Sequence, residues 1–189
     1  MNKNMKEAIV KYAKRTLKIH NWWSAAEIES FNKEHKAKYI SKGVYFIPKG
    51  VKTDLTKVED ELGYALPCDI VDYIDFFWHP CVKGYYKIEE CIILFSVIKY
   101  DDETDDAFLY HKNGLLNMVE TWKESSGGDV KKYLPIGWTG YSGGYILYDL
   151  KTGMIYEEDF DNVGVPSEEP LAHSLKELIS NLNVSKKEW

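Results

Sequence analysis

The chain reads as one globular domain that combines helices with strands. Three observations predict it. Its 189 residues, 44% hydrophobic and 29% charged, suit a single core that removes roughly 70% of the unfolded surface from water. Apolar residues recur at helical spacing over 4–19, 53–78, 105–123 and 170–182. Between these lie β-branched and aromatic runs at 44–47, 85–99 and 133–158, the last of which contains a hairpin signal.

Taken in order, residues 4–19 predict an amphipathic helix with Met5, Ile9, Ala13, Thr16 and Leu17 inward and lysines outward. Ser24 and Glu27 have capping-box spacing and open a short helix after Trp22-Trp23. Lys33 to Lys38 is a polar connection, so residues 1–40 read as a helical extension of one domain spanning 1–189. Val44 to Ile47 is a strand that Pro48 ends.

The stretch Thr53 to Trp78 is the most punctuated part of the chain. Thr53 or Asp54 is placed to cap a first short helix, with Leu55, Val58 and Leu62 on one face and Glu59 and Asp60 opposite. Gly63 follows the last apolar position, where a left-handed residue stops a helix. Pro67 disfavours helical geometry at Leu66 and forces an extended step. A second helix then starts near Pro67 to Asp69, with Ile70, Val71, Ile74, Phe77 and Trp78 as its buried stripe, and His79-Pro80 breaks it.

Tyr85 to Lys99 predicts two strands around Glu89-Glu90, the second of which, Ile92 to Ile98, is apolar enough for a central strand. A long helix is expected from Asp105 to Lys123, with Phe108, Leu109, Leu115, Leu116, Val119 and Trp122 inward. Gly114 would lie inside it, at a cost of about 1 kcal/mol relative to alanine. Ser125 to Gly128 reads as a flexible loop and the weakest point of the domain. Tyr133 to Trp138 approaches the sheet, and Tyr145 to Leu150 pairs with Met154 to Glu158 around Lys151-Thr152-Gly153. Val163 to Glu169 is a loop, and Pro170 opens a last helix that buries Leu171, Leu175, Leu178, Ile179 and Leu182.

The net charge of −6 argues against nucleic acid as a direct partner, because phosphate binding needs a basic stripe. It suits a basic protein partner. Two acidic runs stand out: Asp101, Asp102, Glu103, Asp105 and Asp106, and then Glu157, Glu158, Asp159 and Asp161. Acids favour a helix N-terminus, but five in six positions exceed what a helix start requires. These runs, with Trp138 and Tyr141, are the expected contact face. The aromatic content of 14% serves a Tyr- and Trp-rich core or a partner surface.

Enzymatic and metal chemistry find little support in the sequence. Gly140-Tyr141-Ser142-Gly143-Gly144 fits the G-x-S-x-G elbow of serine hydrolases, and Asp159 and His173 follow in the right order. An elbow needs a helix after it, whereas a strand and another turn follow here, so the pattern reads as a glycine-rich turn; a hydrolase using Ser142 is kept as the lesser alternative. His79, Cys81, Cys68 and Cys91 lack C-x-x-C or H-x-x-x-H spacing, and no P-loop or dinucleotide glycine pattern occurs. No catalytic residue, metal or cofactor is expected. The three cysteines form an odd set without an apolar leader, which suggests free thiols and a cytoplasmic location. The longest apolar run, Cys91 to Ile98, is too short for membrane insertion.

Leu55 through Phe77, with its acidic helix, Leu62-Gly63, Leu66-Pro67 and aromatic second helix, resembles the opening motif of the SUKH superfamily. This is the Smi/Knr-type group of bacterial immunity proteins, which also contains the SecY-interacting protein Syd. Tyr133-Leu-Pro-Ile-Gly-Trp138 and Gly143 through Ile155, with Asp149 and Thr152-Gly153, look like that family's later strand pair. The likeness spans about three quarters of the chain. Where Smi/Knr relatives often place Asn-Gly after the second helix, this chain has Trp78-His79-Pro80, which is closer to the Syd-like branch. The resemblance implies an α+β fold with a mixed or antiparallel sheet flanked by helices. It also implies a non-enzymatic module, either an immunity protein that blocks a basic nuclease or deaminase toxin, or a Syd-like protein that binds basic cytoplasmic loops of the SecY channel.

Overall fold

The computed structural model describes residues 3–20, 33, 39–41, 44–98, 109–110, 112–140 and 142–183. Helix α1 (Lys3–His20) is followed by strands β1 (Tyr39–Ser41) and β2 (Val44–Pro48), then by helices α2 (Thr56–Leu62) and α3 (Cys68–Phe76). Strands β3 (Phe77–Trp78), β4 (Lys83–Gly84) and β5 (Ile92–Leu94) precede helix α4 (Leu115–Ser126). Strands β6 (Tyr133–Thr139), β7 (Tyr145–Asp149) and β8 (Ile155–Glu157) and helix α5 (Leu175–Asn181) complete the order. β1-β2-β3 form a three-stranded sheet and β4-β5-β6-β7-β8 a five-stranded one, with every pairing antiparallel. The fold is a single α+β domain.

One buried cluster joins the layers, drawing Ile9 from α1, Phe46 from β2, Ile74 from α3, Leu94 from β5, Leu115 from α4, Ile146 from β7 and Leu178 from α5. On α1, Met5, Ala8, Ile9, Tyr12 and Ala13 are all buried in it. Two polar side chains of α1 fix the docking. The Tyr12 hydroxyl donates to the Lys83 carbonyl at 2.8 Å and accepts from the Lys83 N–H at 3.0 Å. The Arg15 guanidinium donates to the carbonyls of Ser180 (2.7 Å), Ile179 (3.1 Å) and Leu182 (3.0 Å). The end of α5 leaves carbonyls without intrahelical partners, and a cation there also meets the negative end of the helix dipole.

The helix punctuation holds with two shifts. Gly63 stops α2 at φ +77°, its N–H donating to the Glu59 carbonyl, and Pro67 at φ −56° and ψ 142° leads extended into α3. Neither Thr53 nor Asp54 is the residue preceding the first turn, because Leu55 occupies that place. Asp54 Oδ1 still takes the Thr56 N–H at 3.0 Å and the Thr56 hydroxyl at 2.7 Å, which holds its carboxyl below the usual range. Phe77 and Trp78 are not on α3; they form β3, where Phe77 faces Pro48 and Trp78 faces Ile47. Pro48 therefore lies within β2.

The apolar run Ile92 to Ile98 is not one strand. Ile92–Leu94 pairs with β4 and β6, whereas Val97 exchanges backbone hydrogen bonds of 2.7 and 2.9 Å with His79, beside the other sheet. Between them Ser96 N–H donates to the Asn113 carbonyl. The run is apolar but for Ser96 because it crosses from one sheet to the other inside the core. Tyr85 bridges to Asn183 and residues 86–90 are loop, so the first expected strand is cut short.

The long helix is also shorter. α4 begins at Leu115, and Gly114 is its extended N-terminal residue (φ −87°, ψ 163°), so no helical glycine penalty arises. Leu109 is buried in a turn ahead of it, while residues 101–108 lie outside the described residues. Ser125 and Ser126 belong to α4, and Gly127 ends it at φ +64°. Gly128, expected in a flexible loop, is pressed against the Trp122 ring, so close that a Cβ would stand 2.3 Å from it. The hairpin of β7 and β8 turns at Gly153 (φ +76°) as predicted. Ser174 caps α5, its side chain accepting from the Glu177 N–H at 3.1 Å; Pro170 precedes this helix without opening it, and Ala172 bridges to Ile155 first. The expected short helix at 24–27, the connection at 34–38 and the side chains of Thr16 and Leu17 lie outside the described residues.

Candidate functional site

Of the expected contact residues, Trp138 and Glu157 stand at one end of the five-stranded sheet. Trp138 on β6 stands opposite Ile93 and Tyr145, so the three share a face, with Trp138 half-buried. The turn joining β6 and β7 carries Ser142, whose N–H and hydroxyl both donate to Glu90 Oε2, at 2.8 and 3.0 Å. The Ser142 and Thr139 hydroxyls are 2.7 Å apart. Glu157 on β8 is half-buried, and that burial, with the negative charge of Glu90 nearby, raises its carboxyl pKa. The sheet end thus presents two mutually repelling carboxylates, Glu90 and Glu157. Tyr141 and the run Asp101, Asp102, Glu103, Asp105 and Asp106 lie outside the described residues.

The second acidic run divides into three roles. Glu158 is buried and bonded inward: Oε1 accepts from Trp122 Nε1 at 2.9 Å and from Gly164 N at 2.7 Å, and Oε2 from Tyr145 N at 3.1 Å. It ties α4, β7 and the following loop together and takes no place on the surface. Asp159 folds its own loop: Oδ1 accepts from the Asp161 N–H and Oδ2 from Asn162 Nδ2, both at 2.9 Å. Those bonds, the Asn162 amide first, hold the Asp159 carboxyl below the usual range. Asp161 is exposed, and Glu157 stays partly so. The loop continues with Asp159 N–H donating to Val165 O at 2.8 Å, Val165 N–H to Asn162 O at 3.1 Å and Ser167 N–H to Glu157 O at 2.8 Å.

Periodicity could not reveal what this loop displays. Phe160, Val163 and Val165 are 82%, 60% and 50% exposed, within six consecutive positions. Phe160 lies between Asp159 and Asp161, outside any helical or strand repeat, so the sequence signal is only an aromatic set in an acidic turn.

The elbow-like turn lies between two antiparallel strands, not between a strand and a helix. The Ser142 hydroxyl bonds to Glu90 and Thr139, whereas Asp159 is engaged in its own turn and the His173 N–H donates to Glu177 Oε2 at 2.9 Å. The three candidate triad residues therefore belong to separate hydrogen-bond sets. Among the described residues no group of three His, Cys, Asp or Glu side chains is placed to hold a metal ion. Cys68 is exposed, Cys81 buried and Cys91 half-buried, all as free thiols; burial pushes the Cys81 and Cys91 thiols up. No described helix is long and apolar enough to cross a membrane.

A cleft of about 540 Å³ opens along the connection from α2 to α3, between Gly63, Tyr64 and Pro67 on one side and Lys131 and Leu150 on the other. The Tyr64 hydroxyl is buried there without a hydrogen-bond partner, and burial pushes its pKa up to about 12. Glu59, expected on the outer face of α2, reaches forward to accept the Leu66 N–H at 2.8 Å and fixes this rim. No family model matches the chain, and no curated protein matches it.

Proposed function

We propose that the protein is a non-enzymatic binding module of the SUKH type, an immunity protein that covers a basic nuclease or deaminase toxin domain in the cytoplasm. One observation carries the reading. From Thr152 to Leu175 the chain holds six acids, Glu157, Glu158, Asp159, Asp161, Glu168 and Glu169, and no lysine or arginine. All but Glu158 are partly or fully exposed. A nucleic-acid-handling toxin carries a basic site, and an acidic surface is steered to it and occludes it. The order of elements from β2 to α5, with the turns at Gly63 and Gly153, is what the SUKH resemblance leads one to expect.

The test is a pull-down from lysate of the source organism, with the purified protein as bait, at low and at high salt. Capture of a basic toxin domain that high salt releases supports the reading. Capture of the SecY channel instead moves the assignment to the Syd-like branch. Failure to retain any basic protein at low salt overturns both.

A further inference from the structure

We infer that the loop from Asp159 to Pro166 is a preformed anchor that inserts Phe160 into an apolar pocket on a protein partner, with lysine or arginine around the pocket rim. The inference rests on the protein-binding reading above and assigns its contact point. Three observations carry it.

The first is exposure without internal reason. Phe160, Val163 and Val165 are three of the five large hydrophobic side chains that stand exposed among the described residues, and Phe160 at 82% is the most exposed of them. A single exposed apolar residue is ordinary, but three within six positions make a patch.

The second is that the loop is held in this shape from beneath. Gly164 adopts φ +87°, and a Cβ there would lie 2.4 Å from the Ser126 carbonyl oxygen at the end of α4. Its N–H is drawn to Glu158 Oε1 at 2.7 Å, a buried carboxylate already fixed by Trp122. The Asp159 turn and the backbone bond from Asp159 N–H to the Val165 carbonyl close the loop on itself. Phe160 is therefore displayed by a framework that does not have to order on binding, which removes much of the entropic cost of association. Rigid aromatic anchors of this kind dominate interface energetics.

The third is charge, which selects the occupant. Asp159 and Asp161 flank Phe160, Glu157 lies at the strand end before it, and no cation occurs from Thr152 to Leu175. Pairing of this loop with the same loop of a second copy would place acids against acids. An anionic lipid surface would be repelled for the same reason, since membrane-docking loops carry Lys or Arg beside their apolar residues. A protein pocket with a basic rim satisfies both the ring and the carboxylates.

The test places the photo-crosslinker p-benzoylphenylalanine at Val163 in cells of the source organism and identifies adducts by mass spectrometry. The expected adduct is a basic protein. Its affinity for purified Phe160→Ser should be lower by at least about 30-fold than for the wild type, with Tm little changed because the side chain is 82% exposed. Asp161→Lys should slow association and flatten its salt dependence. Capture of a basic partner in the salt-dependent pull-down, without a Val163 adduct or with full affinity for Phe160→Ser, overturns the anchor and leaves the binding reading in place. An adduct only to lipid, to an acidic protein or to a second copy overturns the assigned occupant. A basic partner in neither experiment overturns the anchor and the proposed function together.

Discussion

His79 provides a quantitative test of how the two sheets are joined. It is fully buried, with its ring 5.5 Å from Phe46 and 4.8 Å from Tyr73, centroid to centroid. Nδ1 lies 2.8 Å from the Pro80 carbonyl, to which it donates in the neutral ring, and Nε2 is buried without a partner. Burial lowers its pKa from 6.5 to about 4; the carbonyls of Pro80 and Tyr73 pull upward, and the positive charge of Lys49 pulls down. Above pH 7 the ring is neutral in both folded and unfolded chains and has no effect on the pH dependence. As pH falls below 6.5 the unfolded chain takes up a proton that the folded chain refuses, so stability is lost until about pH 4, where the folded ring protonates too. Between pH 7.5 and 5.0 the loss spans about 1.5 pH units at 1.36 kcal/mol each, or about 2 kcal/mol. This window lies above the ordinary carboxylate range, which keeps acid titration small. Urea unfolding of wild type and His79→Phe at the two pH values isolates the term. Phe keeps the ring contacts and leaves the Pro80 carbonyl unpaired, a cost that is the same at both pH values. The wild type should lose about 2 kcal/mol more than the variant across the window. Equal losses would refute the claim that His79 is held neutral at the seam.

Other perturbations follow from the same packing. Glu158→Gln sets an amide NH₂ against backbone or indole donors; a loss of about 2–3 kcal/mol in urea unfolding is expected, with faster amide exchange at Gly164. Gly128→Ala drives a Cβ into the Trp122 ring and should cost about 1–3 kcal/mol with a shift in tryptophan fluorescence; a neutral result would mean that this segment is as loose as its sequence suggests. Arg15→Met strips three carbonyls at the end of α5 of their donors and should lower stability by about 1.5–3 kcal/mol, read as a fall in the urea midpoint. Reversing charge at Asp101, Asp102, Asp105 and Asp106 should slow association with a basic partner and flatten its salt dependence; unchanged stopped-flow rates would remove that run from the contact face.

The features legible in the sequence were those whose cause is local. Gly63 and Gly153 mark turns because only a few neighbouring residues decide where a left-handed backbone is needed. The buried positions Met5, Ile9 and Ala13 of α1, Ile70 and Ile74 of α3, and Leu175, Leu178 and Ile179 of α5 follow from a 3.6-residue period that needs no knowledge of what they pack against. The acidic bias of the last third is a matter of composition. Tertiary structure decided the rest, because each outcome depended on groups distant in the chain. Whether Ile92 to Ile98 made one strand or crossed between sheets depended on His79 and Asn113. Glu158 left the acidic surface because Trp122, 36 residues earlier, offered it a buried donor. Arg15 became the cap of a helix 165 residues away, which no local pattern encodes. Phe160 carries the reverse lesson: in the sequence it is only an aromatic in an acidic turn, and the glycine and carboxylate beneath its loop hold the ring in water.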